Sequence, residues 1–371
     1  MFGRSIHRFI CACLTFAIAA AVGRSASAQE ARPAGPARHV SAAELREWLS
    51  FLASDEMKGR PTGSPEIDRA ADWIAEKYRA LELKPVAGMG NHFQNFELAG
   101  RGGRGRRGDA GGGAEATPPP PIRARNVLAF LEGSDPALRE EYILIGAHYD
   151  HIGVRGDAED NIYNGADDDG SGTVTMLGIA ATLQRRRAAD PNDAPKRSIV
   201  FAAWSAEEMG MRGSRHYATN APLPLEKMVV NLNLEMLGHT ENLGKNQIWI
   251  TGAEYSDLLD VVAARWTPLG WSVTDCPLGP SFFGRSDNAS FAMMRRGTDG
   301  APTIGLPAHS ISTWGNERHY HQPNDHADII DYENMEAIVA LLTDSAMEIA
   351  GRGAWIEWKP GSGFERYRGG R

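Results

Sequence analysis

Between residues 125 and 351 the chain alternates short apolar runs with longer helical stretches, and this alternation most limits its fold. "RNVLAFLEG" (125–133), "EYILIGAH" (141–148), "RSIVFAAW" (197–204), "KMVVNLNLEM" (227–236) and "APTIGL" (301–306) read as strands. "GTVTMLGIAATLQRRR" (172–187), the stretch from 207 to 219, "SDLLDVVAARW" (256–266) and "NMEAIVALLTDSAMEIAG" (334–351) read as helices. "RSIVFAAW" is almost wholly apolar, the pattern of a strand covered on both faces. The order predicts a three-layer α/β/α sandwich around a mixed, mostly parallel sheet.

Upstream lie two helices and a strand. Ser41 with Glu44 three residues on forms a capping-box pattern. In 64–81, Ile67, Ala70, Ala71, Ile74 and Tyr78 share one helical face, and "NHFQNFEL" (91–98) alternates like a strand. Residues 99–121 are Gly, Arg and Pro with almost nothing apolar, so they are expected to form a disordered insertion. The "GRGGRG" within them lacks the strand–helix context of a dinucleotide site. Residues 29–98 then form an N-terminal helical part, 122–351 the core, and 352–371 an aromatic, basic tail that either packs on the sheet or stays loose.

The first 28 residues have the pattern of an export signal. Arg4 and Arg8 precede an apolar stretch too short to span a bilayer, and "ASA" (26–28) offers a cleavage site. Cleavage leaves Cys276 as the remaining cysteine, without a partner for an internal disulfide, and no stably inserted segment. Such a chain belongs to a bacterial periplasm or is secreted. Its formal charge of −8 speaks against nucleic acid as a partner. No feature specifies an oligomeric state.

In open α/β sheets, ligands gather beyond the carboxyl ends of the strands. Here those ends carry His148 and Asp150, then Glu207 and Glu208, then Glu235, then His319, His321 and Asp325. The acidic run "NGADDDGSG" (164–172) lies between the first two groups. Taken singly, each residue has a structural explanation. Gathered on one edge, the carboxylates would repel one another unless a divalent ion offset them. Mixed nitrogen and oxygen donors suit Zn2+, with Mn2+ or Co2+ as alternatives, and two histidines with three carboxylates, one bridging, can hold two ions. A calcium EF-hand does not fit, because the twelfth position from Asp167 is Gly178.

"GAHYDHIG", "NGADDDGSG", "AAWSAEEMGMRGS", "NLNLEMLG", "SDNASF" and "YHQPND" together resemble the M28 family of di-zinc peptidases, mostly aminopeptidases, from about Ser41 to Gly351. The resemblance implies the zinc exopeptidase-like, phosphorylase/hydrolase-like architecture and two Zn2+ per chain. It implies His148 and Glu235 as ligands of one ion, Glu208 and His321 of the other, and Asp168 as the bridge. Asp168 would join Asp169 through a cis peptide. Asp150 would orient His148 from behind, and Glu207 would be the general base for a water between the metals. Glu235 stands where most of the family has aspartate. His319 is the weaker alternative to His321, and Tyr320 is either a transition-state or substrate contact or a packing residue. Asp287 reads as an acid behind the ligands, and Asp167 as a solvated or outer acid without an assigned role. The implied partner is the N-terminus of a peptide or protein. Glutaminyl cyclase, carboxypeptidase and a non-catalytic relative on the same fold are the competing readings.

Overall fold

A computed structural model describes residues 38–100, 119–294 and 305–364. The export segment, most of the Gly/Arg/Pro insertion and residues 301–304 lie outside the described residues. In chain order the elements are α1 (Ala42–Leu52), α2 (Pro65–Ala80), β1 (Phe93–Leu98), β2 (Ile122–Leu131) and β3 (Tyr142–His148). A small hairpin, β4 (Gly153–Val154) and β5 (Ile162–Tyr163), precedes α3 (Gly172–Ala189) and β6 (Ser198–Trp204). Then come α4 (Arg212–Thr219), β7 (Met228–Leu234), β8 (Gln247–Ile250), α5 (Leu258–Trp266) and β9 (Ser272–Thr274). The last are α6 (Asn288–Ala292), β10 (Ala308–Ser312) and α7 (Tyr332–Gly351).

Eight strands form one mixed sheet in the order β1-β2-β6-β3-β7-β10-β8-β9. Its four central strands, β6, β3, β7 and β10, are mutually parallel. β2 and β8 flank them antiparallel. Every residue of β3, β6 and β7 is buried, and alternate residues face opposite layers. Ile143, Ile145, Ile199 and Phe201 pack toward α1, α2, α3 and α7, whereas Leu144, Val200 and Trp204 pack toward Tyr217 of α4 and Phe291 of α6. The α/β/α sandwich read from the alternation is therefore the architecture.

Local chemistry fixes the helix starts. Ser41 and Glu44 form the reciprocal capping box. Ser64 caps α2, whose first residue is Pro65, and Asp331 caps α7. The first twelve residues of α3 are all buried, which a helix enclosed between the sheet and α1 and α7 requires.

The structure departs from the sequence reading at three places. The last central strand is "AHSIS" (308–312); of the "APTIGL" expected in that place, 301–304 lie outside the described residues and 305–306 precede the strand. The helix expected from Glu207 begins only at Arg212, because Ala206, Gly210 and Met211 have positive φ and hold 206–211 in an open turn. Strands β8 and β9 widen the sheet without an apolar run long enough to announce them. The tail packs against the body as far as it is described: Trp355, Ile356 and Trp358 are buried.

Candidate metal centre

The sheet delivers its functional side chains where its central strands end. His148 is the last residue of β3, Glu207 and Glu208 lie on the turn after β6, and Glu235 follows β7. His321 comes from the loop after β10. Asp168 sits on the irregular turn Ala166–Ser171 before α3, and its bond to Asp169 is cis.

Asp168 stands between two groups. Its Oδ1 is 3.3 Å from His148 Nε2, which is itself 3.6 Å from Glu235 Oε1. Its Oδ2 is 3.1 Å from His321 Nε2, which is 3.2 Å from Glu208 Oε1. The five ligand positions implied by the resemblance thus come together, with Asp168 shared. His319 does not join them. It stacks on His239 at 5.2 Å, and its Nε2 points to Glu241 at 3.6 Å.

The three acids of the run divide the work. Asp169 is fully buried and accepts the backbone N–H groups of His148, Met236 and Gly172 at 3.0–3.2 Å. Asp167 is buried rather than solvated and takes the N–H of Gly238 at 2.7 Å and the Ser171 hydroxyl at 3.0 Å. Asp325 of "QPND" receives the N–H groups of Asp167 and Asp168 on its two oxygens. These bonds fix the Asp168 backbone from behind and leave its carboxylate facing the imidazoles.

Asp150 acts differently from the orienting carboxylate expected. The Nδ1 of His148 meets the backbone carbonyl of Asp150 at 3.0 Å, while the Asp150 Oδ1 is 3.7 Å away, beyond a hydrogen bond. That carboxylate instead accepts the N–H groups of Glu207 at 2.9 Å and Glu208 at 3.3 Å, and the Thr62 hydroxyl. It therefore shapes the turn that presents the two glutamates. Glu235 is held by the Ser286 hydroxyl at 2.5 Å, so "SDNASF" supports that carboxylate from behind. Asp287 is buried on the Ser214 hydroxyl, and burial raises its pKa to about 7.

Two residues of the site escape a reading of the strand ends. His151, three positions after His148, is buried with its Nδ1 3.0 Å from Glu208 Oε1. Arg60 of "LASDEMKGRPTGS" is completely buried and donates to the backbone carbonyls of Leu52, Tyr149, Asn164 and Gly165 at 2.6–2.8 Å. The structure explains its direction at the Lys58-Gly59-Arg60 run. All three residues have positive φ, a fold-back that turns the guanidinium inward.

The electrostatics call for positive charge. Burial pushes the carboxyls of Asp169, Asp325 and Glu207 well above their ordinary range. For Asp168 burial acts the same way, but hydrogen bonds from His148 and His321 outweigh it and hold the group low. Burial opposes protonation of His321, yet Asp168 and Glu208 raise it to about 10. The imidazoles thus take up protons to offset the carboxylates, a role that a divalent ion would fill. Imidazole nitrogen with carboxylate oxygen is a donor set that zinc accepts. The residues therefore fit two such ions.

Beside them opens a cavity of about 240 Å³ lined by Asp168, Glu207, Glu235 and His321 on one side. Met236, Leu278, Phe282 and Trp314 form its apolar wall, and Arg285 and Tyr320 contribute polar groups. The Tyr320 ring stacks on His321 at 4.0 Å, and burial together with the nearby carboxylates keeps its hydroxyl protonated.

The sequence profile of Peptidase family M28 matches residues 126–346, more than half of the chain. The aminopeptidase YwaD of Bacillus subtilis is 27% identical over 212 residues, 56% of this chain and 41% of that protein. The chain's matches span about a quarter to two-fifths of the curated relatives' length. Among solved structures, the zinc aminopeptidase BSAP of B. subtilis superposes with a TM-score of 0.60 at 16% identity, covering 82% of this chain and 94% of that one. The glutaminyl cyclase of Porphyromonas gingivalis gives 0.59 at 16% identity, covering 83% and 98%. At such identities these likenesses speak for the fold.

Proposed function

Because the chain belongs to peptidase family M28, we propose that it is a zinc-dependent exopeptidase, and specifically an aminopeptidase using two metal ions. The observation that carries this reading is the position of Asp168, with one oxygen 3.3 Å from His148 and the other 3.1 Å from His321. His148, Asp168 and Glu235 would hold one ion, and Asp168, Glu208 and His321 the other. Bound there, the ions would supply a water activated at neutral pH and positive charge for a developing oxyanion.

The remaining steps fall to side chains. Glu207 reaches the cavity beside the ligands, where it takes a proton from the attacking water and delivers it to the leaving amine. Tyr320, held protonated, donates a hydrogen bond to the oxygen that gains charge. The cavity carboxylates attract a free ammonium group, which favours an N-terminal substrate. The apolar wall of Met236, Leu278, Phe282 and Trp314 favours a large apolar side chain at the cleaved residue.

A second reading rests on Arg285, whose guanidinium at the cavity suits a C-terminal carboxylate and hence a carboxypeptidase. Leucyl- and phenylalanyl-nitroanilides are expected to be hydrolysed at least tenfold faster than the seryl or glutamyl analogues, and N-acetylated ones not at all. Cleavage of N-blocked peptides from their C-terminus would reject the aminopeptidase reading and favour Arg285. Ammonia release from a glutaminyl peptide without hydrolysis would favour the cyclase.

The first 28 residues support export. Protein recovered outside the cytoplasm is expected to begin at Gln29 by N-terminal sequencing. An intact N-terminus on protein confined to the cytoplasm would reject it.

A further inference from the structure

We propose that His151 is a third imidazole ligand of this centre, completing a four-ligand set with Asp168, Glu208 and His321. The assignment rests on the two-metal reading above and goes beyond the ligands that the M28 resemblance implies.

Three observations carry it. First, His151 is only 1% exposed, and among the described residues neither ring nitrogen has a hydrogen-bond partner. A buried imidazole without a partner is costly, so its nitrogens require one that the protein's donors and acceptors do not provide. Glu208 Oε1 is likewise buried without a hydrogen bond among the described residues, although it lies 3.0 Å from His151 Nδ1. The two atoms are close but not aligned as donor and acceptor.

Second, the spacing is that of a coordination cage. His151 Nδ1 is 3.0 Å from Glu208 Oε1 and 3.9 Å from Asp168 Oδ2. His321 Nε2 is 3.2 and 3.1 Å from the same two oxygens. Bonds of about 2.0–2.1 Å to a tetrahedral zinc place its ligand atoms about 3.3 Å apart. The four separations bracket that value. The rings of His151 and His321 meet edge to face at 5.6 Å, as two imidazoles converging on one point do.

Third, the backbone reserves room for this ring. Gly165 has φ +60°, and a Cβ there would lie 2.5 Å from His151 Cγ. The backbone N–H of His151, meanwhile, is directed at the Arg60 carbonyl at 3.4 Å.

The two ions would then be unequal. One would have three protein ligands, His148, Asp168 and Glu235, and so an open position for water. The other would have four, the closed arrangement of a tightly held ion.

Cobalt(II)-loaded protein examined by proton NMR in H2O tests this, because each ligating imidazole gives a hyperfine-shifted exchangeable N–H resonance. Wild-type protein is expected to show three such resonances and H151Q two. Metal titration should give at least a tenfold loss of affinity at the tighter site of H151Q and little change at the weaker one. Two resonances in wild-type protein that binds two cobalt ions would overturn the assignment and leave the two-metal reading standing. Equal affinities in wild type and H151Q would overturn it as well. A chain that binds no cobalt overturns both. Should H151Q fail to fold, the wild-type count of three against two decides alone.

Discussion

Replacing Glu207 by glutamine is expected to lower kcat by about 10²–10⁴-fold while leaving metal content unchanged. The split between these two readouts is the substance of the prediction. Glu207 and Glu208 are neighbours whose N–H groups sit on the same Asp150 carboxylate, yet the turn sends them to different tasks. Glu208 Oε1 lies 3.0–3.2 Å from two imidazole nitrogens, as a ligand must. Glu207 instead lines the cavity with Asp168 and Glu235.

Burial raises its proton affinity well above that of an ordinary carboxyl, Asp287 and Glu235 add to the shift, and His148 opposes it. A carboxyl tuned upward is better matched to passing a proton near neutral pH. Glutamine keeps the shape and removes the proton acceptor, so binding of substrate should persist and KM should change little. Metal analysis beside steady-state kinetics checks this. A fully active E207Q would mean that the base lies elsewhere, and a metal-depleted one would make Glu207 a ligand. E208Q, by contrast, is expected to lose metal.

How far the site can be read from sequence depends on how each residue reaches it. His148, Glu208 and Glu235 sit at or just beyond the ends of apolar runs, and the rule that ligands collect at strand ends finds them. The fold is legible for the same reason, because β3 and β6 are nearly continuous apolar segments and β7 is interrupted only by Asn231 and Asn233. β10 is not. Its "AHSIS" looks polar, but His309 is satisfied by the Thr251 carbonyl and the Ser256 hydroxyl, each at 2.7 Å, and Ser310 by Asn288. Pairing specified by buried hydrogen bonds leaves no hydropathy signal.

His151 is hidden by geometry. Three positions from His148, it would face the opposite side of an extended strand, and only the turn after β3 brings it back. Asp150 reads from its spacing as the acid behind His148, but its carboxylate points to the Glu207–Glu208 turn, a direction that spacing along the chain does not encode. Arg60 is the least legible of all. A Lys-Gly-Arg-Pro stretch reads as a surface turn, and nothing in its composition indicates that the arginine faces inward.

The inward turn of Arg60 leads to the largest expected effect on stability. Its guanidinium ties together the end of α1, the segment after β3 and the two residues that enter the metal loop. Burial lowers its pKa to about 10, and Asp325, Asp150, Asp168 and Asp169 act in the other direction, keeping it charged at neutral pH. Methionine would fill part of the space but take the guanidinium donors from the carbonyls of Leu52, Tyr149 and Asn164, leave that of Gly165 with only the Gly170 N–H at 3.2 Å, and leave the acids without their buried cation. The cost should be about 3–5 kcal/mol, as for removal of one partner from a buried charge network. For a chain of this size that lowers Tm by on the order of 10 °C. Lysine keeps the charge but cannot span four acceptors with one ammonium, so R60K should fall between the two. Bound metal offsets the same acids, so the deficit of R60M should be larger in chelator-treated protein than in metal-loaded protein. Calorimetry with and without chelator measures both differences. An R60M protein that melts within 2 °C of wild type in both states would show that the metal loop is held by the Asp325 and Asp169 bonds alone. A deficit equal in both states would instead assign the role of Arg60 to its carbonyl bonds rather than to its charge.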